Sequence, residues 1–307
     1  MSKFIQWGQK IKKDWTKFWQ LYLLVLPLIA FYIIWCYGPM YGIQIAFKDF
    51  TPRKGISGSD WVGLKHFLSF FNGAYAFRVI RNTLLINLYN LIFGFPLPII
   101  FALMLTEIRR RNFKRVVQTI TYMPYFISIV IICGLIRDFG ASDGVFGHIV
   151  TLFGQTPVNI LGDQKYFRTV YVASEIWQFL GWNSILFMST LTGINPELFE
   201  AATIDGASRL KQIWHVSLPG ILPTIAILLV LRVGSMMSLG FEKVILLYNP
   251  VVYETADVIS SFVYRKGIID ADFGFATAIG LFNSVVNFAL VIIANKASAI
   301  MTETSLW

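Results

Sequence analysis

Polar side chains set inside apolar runs carry most of the chemistry this sequence offers. Between Val170 and Leu191, Glu175, Gln178 and Trp182 recur at i, i+3 and i+7, one face of a helix, and Asn183 is adjacent. Arg232 interrupts the run from Ile221 to Phe241, and Ser235 follows one turn later. Asn283 and Asn287 align at i and i+4 between Phe275 and Ala294, and Asn87 and Asn90 stand close together between Thr83 and Leu105. Groups so placed face a protein interior or an aqueous path. Amides and carboxylates pair with hydroxyls, and an indole face stacks on an apolar ring face, so the set suits a sugar. The same residues serve equally for helix-to-helix hydrogen bonds, or for an Arg232–Glu175 pair that only holds a bundle together.

The elements that must position these groups are membrane spans. Of the 307 residues 56% are hydrophobic and only 14% charged, well below the roughly 25% charged of soluble domains. Six runs are long enough to cross a hydrocarbon core of roughly 30 Å. They are Leu21–Tyr41, Thr83–Leu105, Gln118–Ile136, Val170–Leu191, Ile221–Phe241 and Phe275–Ala294, the second expected to break at Gly94-Phe95-Pro96-Leu97-Pro98. The predicted class is therefore an all-α membrane protein of six transmembrane helices.

The formal charge of +9 is distributed as a topology signal, not as a nucleic-acid footprint. Lys3, Lys10, Lys12, Lys13 and Lys17 precede the first run; Arg109, Arg110, Arg111, Lys114 and Arg115 crowd the loop after the second. Both sides are expected to be cytoplasmic, with both termini inside. The connection from Asp138 to Phe167 has Lys165 as its main basic residue, which suits the outside. Ile43–Phe77 runs against this rule with Lys48, Arg53, Lys54 and Lys65, but at lower density and with Asp49 and Asp60 interspersed. Ahead of the first run, Phe4, Trp7, Ile11, Trp15 and Phe18 recur at helical spacing among lysines, the pattern of an interfacial amphipathic helix.

One loop has a dense local code. From Asn195 to Pro219 the chain reads NPELFEAATIDGASRLKQIWHVSLP. Asn195 suits the N-cap, Pro196 the first helical position and Glu197 the positive end of the helix dipole. Gly206 is placed to end that helix in a left-handed conformation, and a second helix follows from about Ala207 into the fifth run. A short helix with exposed alanines allows close approach of another protein.

Glu200-Ala201-Ala202, then Gly206, then Val216, Leu218 and Pro219 resemble the EAA loop of permease subunits of bacterial ATP-binding-cassette importers. WQLYLLVLPLIAFYIIWCYGPMYGIQIAFKDF from Trp19, WVGLKHF from Trp61 and LLYNPVVYETADVISSFVYRKGI from Leu246 are similar to its maltose-type, carbohydrate-uptake branch, nearest the polysaccharide and complex-oligosaccharide permeases of Gram-positive bacteria. The resemblance spans essentially the whole chain. It implies the type I importer permease fold, with a cytoplasmic coupling helix in which Glu200, Ala201, Ala202, Asp205 and Gly206 touch an ATPase. It implies a bacterial cell-membrane location and, as partners, a second permease subunit, two ATP-binding-cassette subunits and an extracellular solute-binding protein. The expected organisation is an N-terminal interfacial helix (1–18), a first transmembrane helix (19–42), an external loop (43–79), a permease core (80–297) containing the coupling loop (195–219), and a C-terminal tail (298–307). The loop 43–79 is too short for the extra domain of the enterobacterial maltose permease.

The sequence lacks a phosphate-binding loop and any Gly-Lys pair, so ATP and magnesium are expected on a partner, with no cofactor in this chain. His66, His148 and His215 are isolated, Cys36 and Cys133 lie in apolar runs, and no nucleophile elbow or paired-carboxylate site occurs. The chain is not expected to be an enzyme or to hold a metal. An ion-coupled secondary transporter or a membrane scaffold is the alternative; the former often shows inverted repeats with matching broken helices, and no second break pairs with the one at Gly94.

Overall fold

The computed structural model describes residues 2–154, 156–157 and 159–302. Helix α1, Ser2–Phe31, is kinked at Phe18 and continues through a π turn, Tyr32–Tyr37, and a 3-10 stretch, Gly38–Phe47. No residue in the apolar window of the 17–47 stretch is buried against the rest of the chain. A two-residue hairpin follows, β1 (Lys48–Asp49) antiparallel to β2 (Asp60–Trp61), and then α2, Lys65–Phe71. His66 is buried here with Nε2 3.0 Å from the Lys48 carbonyl, a structural role.

Helix α3, Ala76–Glu107, does not break where the two prolines suggested. Its turn over Asn90–Gly94 widens to π geometry just before Pro96. The wider turn absorbs the missing proline N–H and the clash of its ring with the preceding turn. The third apolar run is not one straight helix: it forms α4, Arg111–Tyr122, a 3-10 turn Met123–Phe126, and α5, Ile129–Gly140, and the arms Arg111–Phe126 and Ile129–Leu152 meet at a 98° bend. Ile127 and Ser128 are extended at the corner. Tyr125 fixes that corner by stacking on Trp182, with centroids 4.0 Å apart and planes 1° from parallel.

After α6, Val145–Leu152, the long helix α7 runs Gln164–Thr192, capped by Asp163, whose side chain accepts from the Lys165 N–H at 2.8 Å. Helix α8 is Pro196–Ile204. Helix α9, Arg209–Gly234, stops well short of Phe241, the expected end of the fifth run. The chain then leaves the helix, and Asn287 secures the exit: its Oδ1 accepts from Met237 N–H (2.9 Å) and its Nδ2 donates to Ser238 Oγ (2.8 Å). Short helices α10, Phe241–Leu247, and α11, Ile259–Tyr264, lead to the final helix α12, Phe273–Thr302.

Among the described residues four helices are long and apolar enough to cross a membrane: Lys17–Phe47, α3, α9 and Phe273–Ile300, with a fifth crossing if the bent α4–α6 unit counts as one. Helix α7 has the length, but its polar residues keep it out of that group. The chain is thus a multi-pass membrane protein, and α7 packs at its centre against α3, α4 and α9. Ala102, Leu103, Phe187, Leu191 and Ile221 form one buried apolar cluster across α3, α7 and α9.

At the end where α3 and α7 begin, Asp257 is fully buried and receives Arg265 at 2.6 Å and Arg78 at 3.2 Å. Asn82 donates to the Asp257 and Glu254 carbonyls, and Arg168 donates to Asn82 Oδ1 at 2.8 Å. Burial alone would lower the pKa of Arg265, but hydrogen bonds to Asp257 and Tyr248 outweigh it and hold the guanidinium above its ordinary range. This network ties the segment after α10 onto α3 and α7.

Gly181 sets the approach of α4 to α7, because a Cβ there would overlap the Thr121 carbonyl and the Tyr122 ring. Gly181→Val is expected to destabilise the purified protein by about 1–3 kcal/mol, read as an earlier thermal transition in detergent. An unchanged transition would contradict that packing.

Candidate functional site

A cavity of about 580 Å³ opens where α3, α7 and α9 meet. Helix α7 supplies Glu175, Phe179, Trp182 and Asn183; α9 supplies Arg232, with Ser235 at its C-cap; α3 supplies Asn90, Gly94 and Phe95. The volume falls in the range of small-ligand sites, and the lining mixes aromatic rings with a few polar groups.

Of the candidate residues, Glu175, Trp182, Asn183, Arg232 and Ser235 line this cavity together with Asn90 of the second run, whose π turn at Asn90–Gly94 faces it, whereas neither Asn283 nor Asn287 of the sixth run does. Asn287 is engaged with Met237 and Ser238, and the Asn283 Oδ1 is buried without a hydrogen-bond partner among the described residues. Gln178 is buried too, outside the lining, with its Oε1 unpartnered. The cavity-facing positions of α7 run from Glu175 through Phe179 and Asn183 to Leu186, and at about 100° per residue Gln178 falls off that arc.

The Arg232–Glu175 ion pair is not formed. The partner of Glu175 is instead Lys243 on α10, at 3.7 Å. Lys243 is nearly fully buried, also donates to the Tyr171 carbonyl at 3.2 Å, and stands 4.6 Å from the Tyr171 ring centroid. Sequence reasoning missed Lys243 because Phe241-Glu242-Lys243 reads as the polar exit of the fifth run; the early end of α9 at Gly234 lets the chain fold back and bring this lysine in. The signal available was that a carboxylate in α7 requires a basic partner. Tyr125 was missed as well, since a proline-containing corner hides its alignment with Trp182.

The second candidate site is the loop from Asn195 to Pro219. Asn195 Oδ1 accepts from the Glu197 N–H at 3.1 Å and starts α8. Gly206 has φ +71°, and the Ala207 N–H returns to the Ala202 carbonyl at 2.9 Å, closing the helix as a left-handed cap. Glu200, Ala201, Asp205 and Gly206 are exposed, and Ala202 is half-buried. Leu198, Ile204, Leu210 and Trp214 are also exposed, so the loop presents an apolar surface with an acidic edge. It is braced to the bundle by Arg209–Glu107 at 3.1 Å, by Gln212 donating to Thr203 Oγ1 at 3.0 Å, and by Ile194 seated on Gly220. Both helices that flank it, α7 and α9, also line the cavity. His215 is half-accounted for by its Nδ1 contact with the Lys211 carbonyl at 2.9 Å, and among the described residues no cluster suits a metal ion.

Comparisons with known proteins cover both the cavity helices and this loop. Residues 94–298 match the family model described as binding-protein-dependent transport system inner membrane component. The polygalacturonan/rhamnogalacturonan transport system permease protein YteP of Bacillus subtilis (strain 168) is 40% identical over 94% of this chain and 90% of its own length. Protein LplB of the same organism is 40% identical over 96% of this chain and 92% of its own. Among solved structures, a chain of the bacterial alginate ABC transporter, determined in complex with an alginate pentasaccharide-bound periplasmic protein, matches with a TM-score of 0.88 and 42% identity, covering 96% of this chain and 99% of that one.

Removing Lys243 alone leaves Glu175 without its counter-charge. Lys243→Met is expected to cost about 3–5 kcal/mol in denaturant unfolding of the detergent-solubilised protein, and Glu175→Gln/Lys243→Met to recover most of it. Equal losses in the single and double variants would contradict the pairing.

Proposed function

The chain belongs to the family of binding-protein-dependent transport system inner membrane components, and on that premise we propose how it moves its cargo. It is a non-enzymatic permease subunit of an ATP-driven importer. Its cargo is an oligosaccharide handed over by an extracellular solute-binding protein; of the relatives named above, YteP is named for polygalacturonan/rhamnogalacturonan transport and the solved transporter for alginate. The chain works beside a second permease subunit and two ATP-binding-cassette subunits in the bacterial cytoplasmic membrane, and those ATPases hold ATP and magnesium. It crosses six times with both termini inside; α7 supplies the sixth crossing by surrounding its polar face with α3, α4 and α9.

The observation that carries this reading is the shared framework of cavity and loop. Helices α7 and α9 line the cavity and join α8 through connections of three and four residues, and the small, exposed Ala201 and capped Gly206 of this loop suit it to a cleft in an ATPase. When the ATPases close, α8 moves as a rigid plug because its two ends are capped and its flank is hydrogen-bonded to Gln212. Displacement of α8 then reaches α7 and α9 through short connections braced by Ile194 on Gly220 and by Gln212 on Thr203, and it changes the gap between them. Sugar hydroxyls exchange water for Glu175, Asn183, Asn90 and Ser235, while ring faces lie on Trp182 and Phe179. A lining of a few hydrogen bonds and stacked faces binds weakly enough to release its cargo on the cytoplasmic side.

Gly206→Val strains the left-handed cap of α8 and alters the seat without touching the cavity. It is expected to abolish co-isolation of the ATPase with this chain and to reduce binding-protein-stimulated ATP hydrolysis at least tenfold, a loss of about 1.4 kcal/mol or more in coupling. Full retention of the ATPase in the variant would sink the coupling assignment.

A further inference from the structure

Resting on that reading, the cavity discriminates by charge. Two ionisable side chains line it, Glu175 and Arg232. Glu175 is neutralised by Lys243 from behind the wall. Adding one negative charge (Glu175) to two positive ones (Lys243 and Arg232) leaves an excess of one positive charge, and it resides on Arg232. Among the described residues the Arg232 guanidinium makes no hydrogen bond and no ion pair, although the residue is only half exposed. A second donor lies in the cavity wall: Asn90 lines the cavity, is only 3% exposed, and its buried Nδ2 has no acceptor among the described residues. Its Oδ1 is turned instead against the backbone at Gly94, in the π turn that brings Asn90 to the cavity wall.

A neutral sugar needs hydroxyl partners and gives no counter-charge to an unpaired guanidinium. A carboxylate supplies that charge and accepts two parallel N–H donors from one guanidinium, with further acceptor capacity for an amide N–H. We infer that Arg232, assisted by Asn90, binds the carboxylate of a uronic acid unit, so that the cargo of this permease is an acidic oligosaccharide. The ring face of the same unit lies against Trp182 or Phe179, which orients the carboxylate toward α9. Arg232 is then a specificity residue: it favours the charged cargo over a neutral one of the same length and linkage.

The test uses the complete transporter, with its partner permease, ATPases and binding protein, in proteoliposomes. The probes are short oligogalacturonides and oligoalginates as free acids, each beside its carboxyl-methylated neutral form, and the readout is the ratio of acid to ester uptake. The wild-type complex is expected to prefer at least one acid. In Arg232→Gln the ratio is expected to fall at least about tenfold, the loss of one charge-assisted hydrogen-bonded contact, and in Arg232→Lys to recover in part. A ratio that stays at the wild-type value in Arg232→Gln overturns the inference, as it would if Arg232 were paired with a carboxylate of the second permease. So does wild-type uptake confined to the esters. A wild-type complex that imports no member of the panel but imports a neutral oligosaccharide such as an arabinooligosaccharide overturns the inference alone. One that hydrolyses ATP and imports no oligosaccharide of either kind overturns the carbohydrate reading beneath it.

Discussion

An ionised side chain inside a membrane protein must find its counter-charge within the protein, because the hydrocarbon offers none and an isolated charge there costs at least about 3 kcal/mol. That constraint organises this chain. Asp257, fully buried, draws Arg78 and Arg265 onto itself and so holds the segment after α10 against α3. Glu175 draws Lys243 into the wall behind the cavity, which requires the chain to reverse after Gly234 and bring α10 back against the bundle. Arg232 stands outside the pattern.

The loop from Asn195 to Pro219 obeys a different rule, in which backbone groups rather than charges must be satisfied. Asn195 and Gly206 close the two ends of α8, and Ile194 on Gly220 and Arg209 on Glu107 anchor its flanks. A nine-residue helix has little stability by itself. Capped and braced in this way, it can be pushed as a unit. The polar lining and the apolar plug are therefore two ends of the same pair of helices, which is what a permease driven by a separate ATPase requires.

Much of this was legible in the residues. The cap at Asn195, the left-handed Gly206 and the polar face of α7 are local features whose causes lie within a few residues of each other. The failures are equally physical. Proline at 96 and 98 suggested a break, but a π turn absorbs both, and no local rule separates the two outcomes. The run from Gln118 to Ile136 has the apolar length of a span, yet its 98° corner depends on Tyr125 meeting Trp182 from another helix. Lys243 looked like a loop residue because its partner Glu175 is distant in sequence. Asn283 and Asn287 share a helical spacing with true lining residues, and only tertiary packing shows that Asn287 holds the exit of α9. Spacing identifies which side chains share a face; it does not identify what that face meets.

The central claim is that the volume between α3, α7 and α9 is the transport path and that the ATPases open it alternately to each side. A single cysteine at the wall tests this most directly: Asn183→Cys in a chain whose Cys36 and Cys133 have been changed to serine, assembled with its partners in oriented vesicles. The measurement is the rate of modification by a membrane-impermeant thiol reagent from each side, with and without a non-hydrolysable ATP analogue. The account predicts that the reactive side switches with the nucleotide and that transported oligosaccharide protects the thiol. Modification from one side only, at a rate indifferent to nucleotide and to cargo, would contradict it.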